Sequence, residues 1–271
     1  MPPLIRIDST KDPRFRAAAA LAQPLARARD GLFVIEGSKL VRQALAAGML
    51  RSAWLLDDRD DDTLVGDLRA AGVDCYALSA GLGAKLVGTA YDTRLGAVGI
   101  ALRRPAASLP TAGLILAAES IQDPRNVGVL VRTADAAGLA ALALSDGSAD
   151  PWSRPAVRST TGSILRQSVY LAADLPADLA RLRRAGMTVV ATSARAEQTV
   201  WEADLTRPTV LLVGNESTGL SDAARKQADC LVSLPMHGAA SSLNVTVAAG
   251  ALVYEALRQR AGNAATREPS E

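Results

Sequence analysis

Short apolar runs alternate with amphipathic stretches from one end of the chain to the other. Residues 13–29 carry an alanine- and arginine-rich helical pattern that Pro24 should break or kink. Leu32–Ile35 reads as a strand, and Ser38–Ala47 as a helix closed by Gly48. The same rhythm predicts strands at Arg51–Leu56, Val73–Leu78 and Ala97–Leu102, with helices from Asp62 to Gly72 and over Ala80–Val87. The second half repeats it more strongly. Strands are expected at 114–118, 139–144, 188–191, 209–213 and 230–234. Helices are expected at 127–137, near 155–166, 176–185, 221–228 and over 243–260.

Strictly alternating elements of this kind predict an α/β protein with a mostly parallel sheet covered on both faces. Arg103–Gly113 holds two prolines and few large apolar residues. It separates an expected small α/β domain (1–105) from a larger one (114–261), with 106–113 as linker. The small, polar residues 262–271 are expected to form a disordered tail.

A formal net charge of +2 over 271 residues advertises no strong global field. Its distribution is more telling. Met1–Arg51 carries nine Lys/Arg and four acids, a local net of +5, and Trp152–Tyr170 carries Arg154, Arg158 and Arg166 with no acid. Such faces suit a phosphate backbone or simply solvated helices. Arg14, Arg16, Arg154 and Arg158 are the candidate contacts to nucleic acid. Cys75 and Cys230 lie in apolar runs, as expected of buried thiols in a reducing cytoplasm. No run approaches bilayer length, and the first residues lack a signal-peptide layout, so no membrane role is expected. One histidine and two distant cysteines argue against a zinc site, and no metal is expected.

Three loops fall at strand ends, the usual place for ligands in an open α/β sheet. The first, residues 119–138, contains Asn126, able to cap the helix that follows, and Arg132 in a stretch otherwise apolar or small. A lone arginine there needs a pairing partner, a cleft or another subunit. In the second, VGNESTGLS at 213–221, Gly214 and Gly219 bracket Glu216. It reads either as an ordinary turn or as a loop that a ligand can approach closely. The third, Leu234–Gly250, runs from a strand end through small residues to Ser242, Asn244 and a helix N-terminus. It suits a capped helix or a loop that a ligand or another backbone can approach closely. VRSTTGSIL at 157–165 is a fourth candidate, basic and hydroxyl-rich. A Gly-rich dinucleotide fingerprint, a Walker lysine loop and a nucleophile elbow are all missing.

Taken in order, these loops resemble the three motifs of the SpoU (TrmH-like) family of RNA ribose methyltransferases. Asn126 and Arg132 in NVGVLVRTA match the first motif. Gly214, Glu216 and Gly219 match the second, and Leu234-Pro235-Met236 with Ser242-Leu243-Asn244 the third. Phe33–Ala47, FVIEGSKLVRQALAA, resembles the family's N-terminal substrate-binding domain, which has a ribosomal-protein-like α/β fold. STTGS and GNESTGLS are most similar to members that modify ribosomal RNA. Thr246 and His237 stand where the family often has other residues.

The resemblance implies a trefoil knot in the C-terminal domain, where periodicity alone yields an ordinary doubly wound sheet. It implies a homodimer, an S-adenosylmethionine donor, and methyl transfer to a ribose 2′-oxygen, most similar to that on 23S ribosomal RNA. Gly214, Leu234, Leu243 and Met236 would line the donor slot. Arg132, Asn126, Glu216, Ser242 and Asn244 would serve the chemistry. Arg132 is the residue the family assigns to activation, although a guanidinium with a pKa above ~12 is a poor base. Transfer RNA as substrate, a knotted RNA-binding protein without catalysis, and a small-molecule α/β enzyme are the alternatives.

Overall fold

The computed structural model describes residues 4–56, 62–88 and 96–265. The acidic positions 57–61 and the end of the expected tail, 266–271, lie outside the described residues. Contacts divide the chain into two units, Met1–Arg104 with Asp150–Arg166, and Pro105–Ala149 with Gln167–Glu271.

The first unit opens with β1 (Ile5–Ile7), too short to leave a periodic signal. Pro24 splits the expected first helix into α1 (Pro13–Ala20) and α2 (Pro24–Asp30). There follow β2 (Leu32–Glu36), α3 (Ser38–Ala46), β3 (Leu50–Leu56), α4 (Asp62–Ala70), β4 (Asp74–Leu78), α5 (Ala80–Val87) and β5 (Ala97–Leu102). The strands form a mixed sheet in the order β1-β4-β3-β5-β2, antiparallel where β5 meets β3 and β2. Phe15, Trp54 and Tyr76 build an aromatic cluster on it, with ring centroids 6.4 Å and 4.6 Å apart.

The second unit begins with β6 (Leu114–Ala118), α6 (Pro124–Ala136) and β7 (Ala141–Ser145). The next helix, α7 (Arg154–Thr160), belongs to the first unit. That departs from the expectation that 114–261 stays together. The anchors are plain. Arg27, only 5% exposed, donates to the Asp150 carboxylate at 2.7 Å and to the carbonyls of Leu21 and Ala22. Arg103 stacks over buried Trp152 at 4.4 Å. The helix expected over 155–166 breaks at Thr161 and Gly162, both at positive φ (50° and 102°), leaving a single 3-10 turn at Ser163–Leu165. The expected linker at 106–113 is held on the second unit. Ala106 N–H donates to Val169 O, and Leu109 is buried in that unit's core.

The chain then forms β8 (Val169–Ala172), α8 (Leu175–Arg184), β9 (Thr188–Thr192), β10 (Thr209–Val213), α9 (Asp222–Arg225), β11 (Cys230–Val232) and α10 (Val245–Ala265). All neighbours in the order β11-β9-β10-β6-β7-β8 pair in parallel. Alternate residues serve opposite faces. Ile115, Ala117, Val189, Val210 and Leu212 pack with Leu175, Leu179 and Leu182 of α8 and Ala224 of α9. The other face carries α6 and α10, which pack against each other. α10 runs past the expected end at 260 through a stretch containing alanines, and Arg260 Nε donates to Leu205 O at 2.9 Å. No helix among the described residues is long and apolar enough to cross a membrane.

Chain order places β7 and β8 on one side of β6, and β10, β9 and β11 on the other. The direction of winding therefore reverses between β6 and β10, and a crevice at their C-terminal ends is the expected ligand position.

Candidate functional site

The loops after β6, β10 and β11 meet at this switch point through one hydrogen-bonded chain. Thr246 donates to the Asn244 carboxamide oxygen, from N–H at 2.8 Å and from Oγ1 at 2.6 Å. Asn244 Nδ2 donates to Asn126 Oδ1 at 3.4 Å, and Asn126 Nδ2 donates to Glu216 Oε1 at 2.6 Å. Every link runs in the same direction and ends on a carboxylate, which fixes how both amides face. Asn126 is thus the centre of the cluster and does not cap α6. That role falls to Asp123, whose carboxylate accepts from Arg125 N–H at 2.8 Å. Hydrogen bonds from the Arg125 side chain, and then from its backbone, hold the Asp123 carboxyl below its usual range.

The loop after β10 is built around two glycines. Gly219 takes positive φ (69°), and Asn215 and Gly219 exchange backbone hydrogen bonds of 3.1 and 2.9 Å. The turn folds back so tightly on Gly214 that a Cβ there would stand 2.5 Å from Gly219 C and 2.6 Å from Leu220 N. Three residues outside the expected set support it. Asn215 accepts from the N–H groups of Ser217 and Thr218 and donates to Ser120 O at 2.7 Å. Glu119, only 8% exposed at the end of β6, accepts from Ser221 N–H at 2.8 Å and Ser221 Oγ at 2.7 Å. A carboxylate directly after a continuous apolar strand was the sequence signal for Glu119.

Residues 234–243 make no hydrogen bond among the described residues. Leu234 is half-buried, Met236 and Leu243 are exposed, and Ser242 is exposed. Backbone donors and acceptors are therefore free along a stretch flanked by apolar side chains, which suits a flat heteroaromatic ligand. Ser242 is not joined to the Asn126 cluster. Nor is Arg132, which is exposed on α6 and has no ion pair among the described residues. It lies six residues beyond Asn126, about 9 Å along the helix axis.

The basic candidates separate. Arg14 pairs with Asp12 at 2.7 Å, and its guanidinium lies over the Tyr76 ring. Arg154 pairs with Glu36. Arg16 and Arg158 are exposed with no ion pair among the described residues.

The profile of the SpoU rRNA Methylase family matches residues 113–254, a span that contains all three loops. The chain belongs to this family. It is 33% identical to the 23S rRNA guanosine 2′-O-methyltransferase RlmP of Bacillus subtilis, over 92% of this chain and 98% of that protein. Among solved structures, the SpoU methyltransferase AviRb of Streptomyces viridochromogenes, in complex with the cofactor AdoMet, shares 31% identity. Its TM-score is 0.84, covering 93% of this chain and 99% of that one. The AdoMet-bound rRNA methyltransferase of Sinorhizobium meliloti has the same TM-score at 29% identity, over 94% and 98%.

Proposed function

We propose that this SpoU family member is an S-adenosylmethionine-dependent RNA methyltransferase acting on a ribose 2′-hydroxyl of 23S ribosomal RNA. The observation that carries this reading is the Asn244–Asn126–Glu216 chain, which ties three strand-end loops together at the switch point of the sheet. Full-length similarity to RlmP and AviRb supports the RNA and donor classes.

The residues present fit the donor. Gly214 leaves a cradle that a Cβ would fill, and residues 234–243 offer unpaired backbone groups beside Leu234, Met236 and Leu243. S-adenosylmethionine supplies a methyl on a sulfonium that carries its own leaving group, so no metal is needed. The chain's own task is to hold the ribose hydroxyl in line and to ease loss of its proton. Arg132 orients the ribose and stabilises negative charge developing on the 2′-oxygen, while an RNA phosphate is the better proton acceptor. Asn126, Glu216 and Asn244 hold the loops, and Ser242 contacts the ribose. A trefoil knot through these loops is part of the same reading.

The test of function is incubation with methyl-labelled donor and separated 23S, 16S and transfer RNA. Label in 23S RNA is expected. Label confined to transfer RNA would replace the substrate, and no transfer to any RNA would reject the enzyme. Asn126→Asp sets a carboxylate against Glu216. It should weaken donor binding and transfer at least tenfold at pH 7.5, recovering in part near pH ~5 as the pair takes up a proton. Calorimetry showing wild-type affinity at pH 7.5 would disprove the role of the chain of hydrogen bonds.

The working form in this reading is a homodimer. α10 buries Val245, Ala249, Leu252, Val253 and Ala256, yet Val247 and Tyr254 on its outer face are each 55% exposed. These two lie seven residues apart with Ala251 between them, an apolar stripe larger than a solvated helix needs. A second copy across a twofold axis is its natural cover, and would shelter Arg132. Light scattering at micromolar concentration should give twice the chain mass, and Tyr254→Glu should halve it. A wild-type monomer with full activity would contradict the dimer.

A further inference from the structure

A concavity of about 360 Å³ lies wholly within the first unit, between β2–α3 and α7. Its apolar walls are Val34, Leu40 and Val157, with Val34 and Val157 buried at 9% and 2% exposure. Lys39 and Arg158 stand at its rim, exposed and without an ion pair among the described residues. The neighbouring Glu36 pairs with Arg154, which leaves Lys39 and Arg158 without an acidic partner among the described lining residues.

Gln43 completes the wall. The left-handed residues Thr161 and Gly162 end α7 and bring Gly162 against the Gln43 carboxamide. A side chain at Gly162 is disfavoured by its φ of 102°, and its Cβ would displace the tip of Gln43, whose Oε1 lies nearest. That oxygen is buried and has no hydrogen-bond donor among the described residues. An unpaired buried amide oxygen is unfavourable, so a partner that enters the concavity and lets the Gln43 carboxamide turn toward it is favoured.

An apolar slot, one amide able to read a polar edge, and two cations with no ion pair among the described residues form a combination suited to a nucleotide. The slot accepts the base, Gln43 meets its Watson–Crick or Hoogsteen edge, and Lys39 and Arg158 meet the flanking phosphates. Single-stranded RNA offers such bases, unstacked and splayed from their neighbours. We propose that this concavity binds an unstacked nucleotide of the RNA substrate, other than the one that is methylated. It would set which RNA segment reaches the switch-point loops. The proposal rests on the RNA methyltransferase reading of those loops but concerns recognition alone.

The full chain is tested with a 23S RNA fragment that it methylates. Lys39→Ala with Arg158→Ala should raise the RNA Kd and KM at least tenfold, leave kcat within about threefold, and leave the donor Kd unchanged. The slope of log K against log salt should fall by roughly 1.4 if two single-strand phosphate contacts are lost. Gln43→Leu should raise KM with no change in salt slope, which separates base recognition from a diffuse basic surface. An unchanged circular dichroism spectrum and thermal midpoint show in each case that the fold survives. If the wild type methylates RNA but all three substitutions leave KM and slope unchanged, the nucleotide site is wrong and the enzyme reading stands. If the wild type neither binds nor methylates RNA, both fall. Saturable micromolar binding of a free mononucleotide, abolished by Gln43→Leu with RNA binding unchanged, would overturn the assignment to RNA.

Discussion

Arg132→Ala is expected to lower methyl transfer at least about a hundredfold, equivalent to roughly 2.7 kcal/mol of transition-state stabilisation. The fold should survive, because Arg132 is exposed on α6 and makes no ion pair among the described residues. Donor affinity should survive for a related reason. The loops proposed to hold the donor are tied by Asn126, Glu216 and Asn244, and Arg132 has no part in that chain. A charged side chain without an ion pair among the described residues, on a helix whose first turn carries Asn126, is placed to act on substrate. Arg132→Lys separates two roles. If charge alone matters, lysine should restore most of the rate; if a planar fork must orient ribose and phosphate, it should restore little. Single-turnover measurement with verified RNA decides the matter, and a rate for Arg132→Ala within a few fold of wild type would remove Arg132 from the chemistry.

Gly214→Val should abolish donor binding, and the structure supplies a cause different from the one motif spacing suggests. From the sequence, a side chain at 214 fills a slot for the ligand. In the fold, a Cβ at this position collides first with the backbone of Gly219 and Leu220, at 2.5 and 2.6 Å. Backbone cannot step aside as the tip of a side chain can, so the turn must open. Opening breaks the Asn215–Gly219 hydrogen bonds and pulls Ser221 from Glu119. Gly214→Ala carries the same Cβ and should therefore be nearly as damaging to donor affinity as valine, with a loss of stability of about 1–3 kcal/mol in each case. If alanine binds the donor as wild type does while valine does not, simple slot filling is the better account.

Much of the fold was legible because apolar periodicity and turn residues agree in this chain. β6 and β10 are continuous apolar runs, as strands covered on both faces must be. Pro24 marked the break between α1 and α2. β1 went unseen because three residues carry no period, and β8 (Val169–Ala172) because four residues are nearly as few. Asp150–Arg166 was assigned by chain position to the larger unit. What places it in the smaller one is a set of long-range partners, Arg27 with Asp150 and Glu36 with Arg154, that no local pattern encodes. Deleting residues 1–105 to test RNA binding would thus strip α7 of its packing, and substitutions at Lys39, Gln43 and Arg158 are the cleaner test.

At the site, the motif residues were legible but their bonding was not. Asn126 was read as a helix cap, a role that its position three residues into α6 leaves to Asp123. Its actual partners lie 90 and 118 positions away in sequence. Glu119, Asn215 and Ser221 do their work through contacts of the same long-range kind, and only the buried carboxylate after β6 hinted at it.

The central claim is that the methyl goes to a ribose oxygen of 23S RNA. The most direct measurement is complete nuclease digestion of 23S RNA after reaction with the purified protein and a deuterated methyl donor, followed by mass spectrometry of the nucleosides. One 2′-O-methylnucleoside carrying the label is the predicted result. Label on a base, with ribose unmodified, would contradict the account.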